Sequence, residues 1–358
     1  MRKRALRCGG LGLALLLHCL TLPSRALACV VGTGSGGSCT EAALTACLPG
    51  GLSFDGTVTF NCGGAATITV TSIKTISADT TIDGGSPITI SGGYSVGVFS
   101  VNTGVTFTVQ NLTIANGSST SSGGGIYSYG TLTVTNSTFS SNRANRFYYG
   151  AAGGGIYNDG GTLTVTNSTF FDNSANGGGG GGIYNNGGTV TVTSSTFFDN
   201  SAVGGGGMFN YSVYSGGTLT VTNTIVANST SGGNCAGSVT DGGDNIDDGT
   251  TCGFTGTGCT STSGSSFCGT NPHLDPAGLA NNGGPTQTIA LQAGSPAVNA
   301  GDESVCAAPP VNNLDQRGYV RPGDGATSCS IGAYEYNSVP ASPTTCEGDC
   351  SSDRHVTG

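Results

Sequence analysis

Asp172 and Asp199 each follow two phenylalanines and precede an asparagine, in two copies of one string set 27 residues apart. If one copy stacks on the next as a β coil, the two carboxyls come within roughly 5 Å of each other. Carboxyls at that separation can serve as the acid and base of retaining glycoside hydrolysis, or can hold a cation. Duplication of the string accounts for the pair without any chemistry. Arg143, Arg146, Phe147, Tyr148 and Tyr149 form a second cluster, in which guanidinium groups and aromatic rings mix as they do on surfaces that contact sugars and acidic groups. A third group is Asp349, Ser351 and Asp353, which match positions one, three and five of a calcium loop. Arg354 stands where that loop needs Gly and no Glu closes it, so weak or absent calcium binding is expected and no other cofactor is implied.

Catalytic partners for these groups are scarce. Beyond residue 28 the basic residues are Lys74, Arg143, Arg146, Arg317, Arg321 and Arg354, and the histidines are His273 and His355. Arg317 and Arg321 stand near Asp315 and Glu335, where buried ion pairing is the expected role. No serine has a histidine close by for Ser-His-Asp chemistry. No C-x-x-C pair suggests zinc, and the glycine run from Gly177 to Gly182 lacks the Gly-Lys-Ser/Thr of a phosphate loop.

The elements that would position these residues follow from a repeat. The segments beginning GGGIY at Gly123, Gly153 and Gly180 and GGGMF at Gly205 align throughout, and Ile126, Ile156, Ile183 and Met208 recur at intervals of 30, 27 and 25 residues. That is the length of one turn of a three-sided coil. Each copy holds three short apolar patches divided by Gly, Asn and Ser, which read as three strands. Stacking puts the four residues above in one inward column and Val134, Val165, Val192 and Val221 in another. Asn136, Asn167 and Asn223 are expected to stack as an amide ladder, interrupted at Ser194. With 65 glycines, 9% charged residues and no Trp, the chain is unsuited to helical domains. The fold expected is all-β, a right-handed parallel β-helix.

The chain divides accordingly. Residues 1–28 read as a secretory signal, with Arg2, Lys3, Arg4 and Arg7, an apolar run from Leu11 to Leu17, and Ala26-Leu27-Ala28 for cleavage. Cys29 would then lead the exported chain, where acylation of its thiol is a second reading. No other apolar stretch approaches the roughly 20 residues that span a bilayer. Residues 29–56 form an N-terminal cap, with helical spacing from Cys39 to Leu48 and Thr40 near its start. The β-helix covers 57–232, with clear repeats from 123; a Cys-rich terminal domain covers 233–338, and an acidic tail 339–358. Five of the eleven basic residues lie in the signal, leaving six against twenty acidic ones and a balance of −14. That charge argues against nucleic acid and anionic membranes as partners, since both need a basic footprint. Of fourteen cysteines, Cys8 and Cys19 fall in the signal and twelve remain, an even number suited to disulfides that staple the two ends.

Several motifs carry a resemblance. Gly36-Gly37-Ser38-Cys39-Thr40-Glu41-Ala42-Ala43 resembles the cap of bacterial secreted β-helix proteins, and the repeats resemble those of polymorphic outer-membrane proteins. Asn282-Gly283-Gly284-Pro285-Thr286, Gly294-Ser295-Pro296-Ala297, Asp315-Gln316-Arg317-Gly318, Arg321-Pro322 and Ile331-Gly332-Ala333-Tyr334-Glu335-Tyr336 resemble the choice-of-anchor Q domain. The tail from Cys346 resembles the start of a dockerin-like repeat. The resemblance implies an exported or surface-displayed β-helix. Taken with the shortage of catalytic residues, it leads to a non-catalytic monomer whose loops contact extracellular polysaccharide or a cell-surface glycan. A polysaccharide lyase or glycosidase on the same scaffold is the alternative. Asp247-Asp248 resembles the acidic doublet of polygalacturonases, although the Gly-His-Gly and Arg-x-Lys partners are missing.

Overall fold

The computed structural model of the protein describes residues 28–145, 150–212 and 216–342, and its architecture follows from alternation within the repeat. In Thr-Leu-Thr-Val-Thr the apolar residues turn inward and the threonines outward, and one such strand can bury its inner face only against other coils. Leu132, Leu163, Val190 and Leu219 form one fully buried column, and Val134, Val165, Val192 and Val221 the next. Ile126, Ile156, Ile183 and Met208 pair in register as the repeat implies. Phe139, Phe170 and Phe197 stack inside the coil, with centroids 4.8 and 4.5 Å apart.

The result is an all-β parallel β-helix with three long faces. Sheet 1 has nine strands, from Cys29–Val31 to Thr240–Asp241; sheet 2 has ten, from Ala66–Thr69 to Thr255–Thr257; sheet 3 has seven, from Lys74–Ile76 to Cys235–Gly237. A short fourth sheet at one corner joins Ser118–Ser119, Arg143–Ala144, Ser174–Gly179 and Ser201–Gly204. The glycines before each Ile-Tyr pair keep this corner tight: a Cβ on Gly155 would lie 2.6 Å from the Gly182 carbonyl oxygen. Coil stacking runs past residue 232, where the sequence repeat fades, through the strand Ser261–Cys268.

Buried asparagines run through the coils, but not those the repeat suggested. Asn142, Asn173 and Asn200 pass amide hydrogen bonds from coil to coil at 2.9 and 3.0 Å, and Asn158, Asn185 and Asn210 do so at 2.9 Å each. Asn136, Asn167 and Asn223 instead hold left-handed corners, with φ of 50°, 46° and 49°, a conformation that Asn tolerates better than most residues. Ser194, with φ 47°, fills the same corner. Asn136 reaches the preceding coil, donating to Asn111 Oδ1 at 3.4 Å, whereas Asn167 points off the coil and donates to Leu314 O at 2.9 Å, and Asn223 to Asp302 O at 3.1 Å.

Those contacts belong to a C-terminal segment that folds back along the outside of sheet 2. Gln316 is fully buried there; its amide nitrogen donates to the Thr138 hydroxyl at 2.8 Å and its oxygen accepts from Thr169 at 2.6 Å. Ala333 N donates to the Thr196 hydroxyl at 3.0 Å, and Ile225, Ile246, Leu274, Ile289, Leu291 and Ile331 form an apolar layer between segment and sheet. Arg317 and Arg321 pair with Asp315 at 2.6 Å and Glu335 at 3.2 Å, as the sequence suggested. The Arg317 guanidinium also lies between the rings of Tyr319 and Tyr334, 4.0 and 3.7 Å from their centroids.

At the other end, the helix Glu41–Cys47 has Thr40 as its N-cap, the hydroxyl accepting from Ala43 N at 3.2 Å, and it buries Leu44 and Cys47 against the first coil. Among the described residues five disulfides, Cys29–Cys47, Cys39–Cys62, Cys235–Cys252, Cys259–Cys268 and Cys306–Cys329, staple the two ends and suit an oxidising environment. Cys29 therefore has no free thiol for a lipid, which corrects the acylation reading. The signal-peptide motifs lie outside the described residues apart from Ala28. Among the described residues no helix is long and apolar enough to cross a membrane.

Candidate functional site

Asp172 and Asp199 do fall on successive coils, with Asp172 N donating to Phe198 O at 3.3 Å. Both are corner residues with positive φ, 52° and 58°, in a column running Ser141, Asp172, Asp199 and Asn228. The Ser141 hydroxyl donates to Asp172 Oδ2 at 2.9 Å, and Asn228 Nδ2 donates to Asp199 Oδ1. Burial, with a smaller contribution from neighbouring Asp172, pushes the Asp199 carboxyl above the usual carboxylate range, against the hydrogen bond from Asn228. Among the described residues no group of three His, Cys, Asp or Glu stands close enough to hold a metal, and no basic side chain joins the pair.

Asp247 and Asp248 are consumed by structure. Asp247 is fully buried and accepts from Gly249 N, Cys252 N and Asn234 Nδ2, while Asp248 accepts from Asn228 N and Asn234 Nδ2. Arg143 is exposed on the short corner sheet, with its guanidinium 5.3 Å from the centroid of the Tyr94 ring. Its expected companions Arg146, Phe147, Tyr148 and Tyr149 lie outside the described residues, as do Asp349, Ser351 and Asp353.

The outward face of sheet 3 brings together a group that the sequence reading passed over. Tyr127, Tyr157, Tyr184 and Phe209 form a half-buried row, pairing in register across four coils, with ring centroids 4.8, 5.0 and 5.0 Å apart and planes within 28° of parallel. Rings stacked this way cover one another's faces and offer solvent their edges and phenol groups. Asp159 sits beside the row and accepts from Tyr127 OH at 2.6 Å and Asn186 Nδ2 at 2.8 Å. Burial is the main reason the phenols of Tyr127, Tyr157 and Tyr184 are held protonated, that of Tyr184 being pushed up to about 12, so each remains a hydrogen-bond donor at any physiological pH.

Next to the row a pocket of about 270 Å³ is lined by Gly150, Gly178, Gly179, Tyr184, Phe209 and Tyr211, among others. Gly179 is required by the ring above it, since a Cβ there would overlap the Phe209 ring. The signal available in the sequence was the Ile-Tyr and Met-Phe pairs of the repeat: in a strand, the second residue of each pair faces opposite to the first. No family model, curated protein or solved structure matches the chain.

Proposed function

We propose that this protein is a non-catalytic, exported β-helix that binds an extracellular glycan across sheet 3, with one sugar residue seated in the pocket beside Tyr184, Phe209 and Tyr211. The observation that carries the reading is the conjunction of a small, glycine-floored aromatic pocket with a row of protonated phenols at one-coil spacing. A volume near 270 Å³ is at the low end for ligand pockets and suits a single ring. The phenols and Asp159 supply the hydrogen bonds that sugar hydroxyls need. The terminal segment, read as a choice-of-anchor Q-like unit, acts in this scheme as a brace along sheet 2 that leaves sheet 3 open. The Asp172–Asp199 column faces a different corner and has no basic partner, which favours binding over cleavage.

The test is affinity electrophoresis of the exported chain through gels containing neutral and acidic polysaccharides, with reducing ends measured in parallel. Retardation by at least one polymer, weakened about tenfold by Tyr184→Ala, is the expected result, because truncating one aromatic anchor costs about 1–2 kcal/mol. Retardation unchanged by Tyr184→Ala and Tyr211→Ala, or release of new chain ends that Asp172→Asn abolishes, overturns it.

A further inference from the structure

Sheet 1 carries a threonine lattice that glycan binding on sheet 3 does not use. Five consecutive strands, from Thr106–Gln110 to Thr218–Thr222, pair in parallel without a break in register. Their outward positions form three columns, and every residue of the first two is threonine: Thr106, Thr131, Thr162, Thr189 and Thr218, then Thr108, Thr133, Thr164, Thr191 and Thr220. The first column is exposed and the second half-buried. Among the described residues, none of these ten hydroxyls has a hydrogen-bond partner in the protein. Sheet 2 supplies the internal contrast, since Thr138, Thr169 and Thr196 on its outward face are all engaged by the C-terminal segment.

We infer that this face binds the surface of ice. The lattice repeats at about 4.8 Å along the helix axis and about 6.6 Å along each strand, so the ten residues span about 19 Å of axis. Both repeats are close to distances at which oxygen atoms recur on faces of ice. Water over the methyl groups is ordered into cages, and each free hydroxyl holds one such water in place. The lattice is formed in advance: Thr has few χ1 choices on a strand, its neighbours pack against it across the sheet, and the residues beneath are fully buried. Little order is therefore lost on binding. No charged side chain interrupts the two columns to draw water into its own hydration shell. Nor does any aromatic ring, of the kind a crystalline polysaccharide stacks on, stand in them.

The exported chain is tested for thermal hysteresis in a nanolitre osmometer and for enrichment in a slowly growing ice hemisphere. We expect a hysteresis gap with faceted crystals, and enrichment in the ice. Thr164→Tyr combined with Thr191→Tyr, at the centre of the lattice, reduces both about tenfold, as central positions dominate a contact surface. Thr133→Ser, Thr164→Ser and Thr191→Ser together keep the hydroxyls, remove the methyls and also lower the activity, which covers the case in which the tyrosines impair folding. Tyr184→Ala leaves it unchanged, so this test and that of the sheet 3 site fail independently. Exclusion of the unaltered protein from ice, equal activity in the folded lattice variants, or adsorption to crystalline chitin or cellulose without adsorption to ice overturns the inference.

Discussion

Replacing Asn173 by Ala tests whether buried amide ladders hold the coils in register. Asn173 is fully buried, and its side chain makes four hydrogen bonds: Nδ2 donates to Phe139 O at 2.9 Å and Asn200 Oδ1 at 3.0 Å, and Oδ1 accepts from Asn142 N at 3.1 Å and Asn142 Nδ2 at 2.9 Å. Truncation removes all four, but not every partner is stranded. Asn142 Nδ2 keeps Ile114 O at 3.0 Å, and Asn200 Oδ1 keeps the backbone N–H of residue 173 at 3.0 Å. The Asn142 backbone N–H loses its acceptor and the Phe139 carbonyl loses its side-chain donor. At about 1–3 kcal/mol for each of these two groups left unpaired in the interior, the expected cost is about 2–6 kcal/mol. Urea unfolding gives the global loss, and native-state amide exchange gives the local one, with the Asn142 amide exchanging at least about 30-fold faster. Asn176→Ala is the control, because its 2.7 Å bond to Asn145 is exposed and its loss should stay within about 0.5 kcal/mol. Equal urea midpoints for the two variants would refute the claim that the ladders contribute more than surface amides do.

Two further outcomes follow from the ends of the solenoid. Gln316→Leu strands the Thr169 hydroxyl and cuts the ties to Thr138 and Thr286, so the C-terminal segment should loosen by about 2–4 kcal/mol, seen as faster proteolysis after residue 271 while the coils stay protected. Glu41 accepts from Lys74 Nζ at 2.6 Å and from both Thr71 donors, and the bond from Lys74 is the largest cause holding its carboxyl down at about 2, against an ordinary value of 4.5. A depressed carboxylate stabilises the fold fully above its unfolded value and loses that contribution as pH falls towards the folded one. Cap stability in the natural chain should therefore drop between about pH 4.5 and 2 relative to Glu41→Gln, measured as the difference between their urea midpoints across that range.

What was legible in the sequence is what stacking forces to repeat. A coil that buries Ile156 and Val165 must present matching residues at the same register in the coils on either side, so the fold, the inward columns and the capping helix at Thr40 could be read from spacing. Spacing could not separate two asparagine columns with the same period. Asn136 and Asn142 recur alike, and only the backbone decides that the first turns outward at a left-handed corner while the second points in. Nor could it show that Gln316 would reach Thr169, 147 residues away, because the return of the C-terminal segment is set by the shape of sheet 2 and not by any local pattern. The aromatic row hides in the apolar patches of the repeat for a simpler reason: Ile156 and Tyr157 are adjacent in sequence, but strand alternation sends the two side chains to opposite faces.

Duplication in a solenoid has a consequence for function as well as for stability. Copying a coil copies its outward residues, so any surface side chain becomes a row at the strand spacing whether or not selection wanted a row. Regularity alone is thus weak evidence for a binding face, and Asp172 and Asp199 show why: their pairing is what duplication produces, and Ser141 and Asn228 take up their oxygens. The better criterion is whether the protein itself uses the row. The threonines of sheet 2 fail it, because Gln316 and Ala333 occupy their hydroxyls. The aromatic row of sheet 3 passes in part, with its ring faces spent on one another and the Tyr127 hydroxyl on Asp159, but with the pocket beside Tyr184 still open. The first two threonine columns of sheet 1 pass fully, since their hydroxyls meet no protein partner among the described residues. By that criterion the two surfaces left for partners lie on separate sheets, and substitutions on one should leave the other untouched.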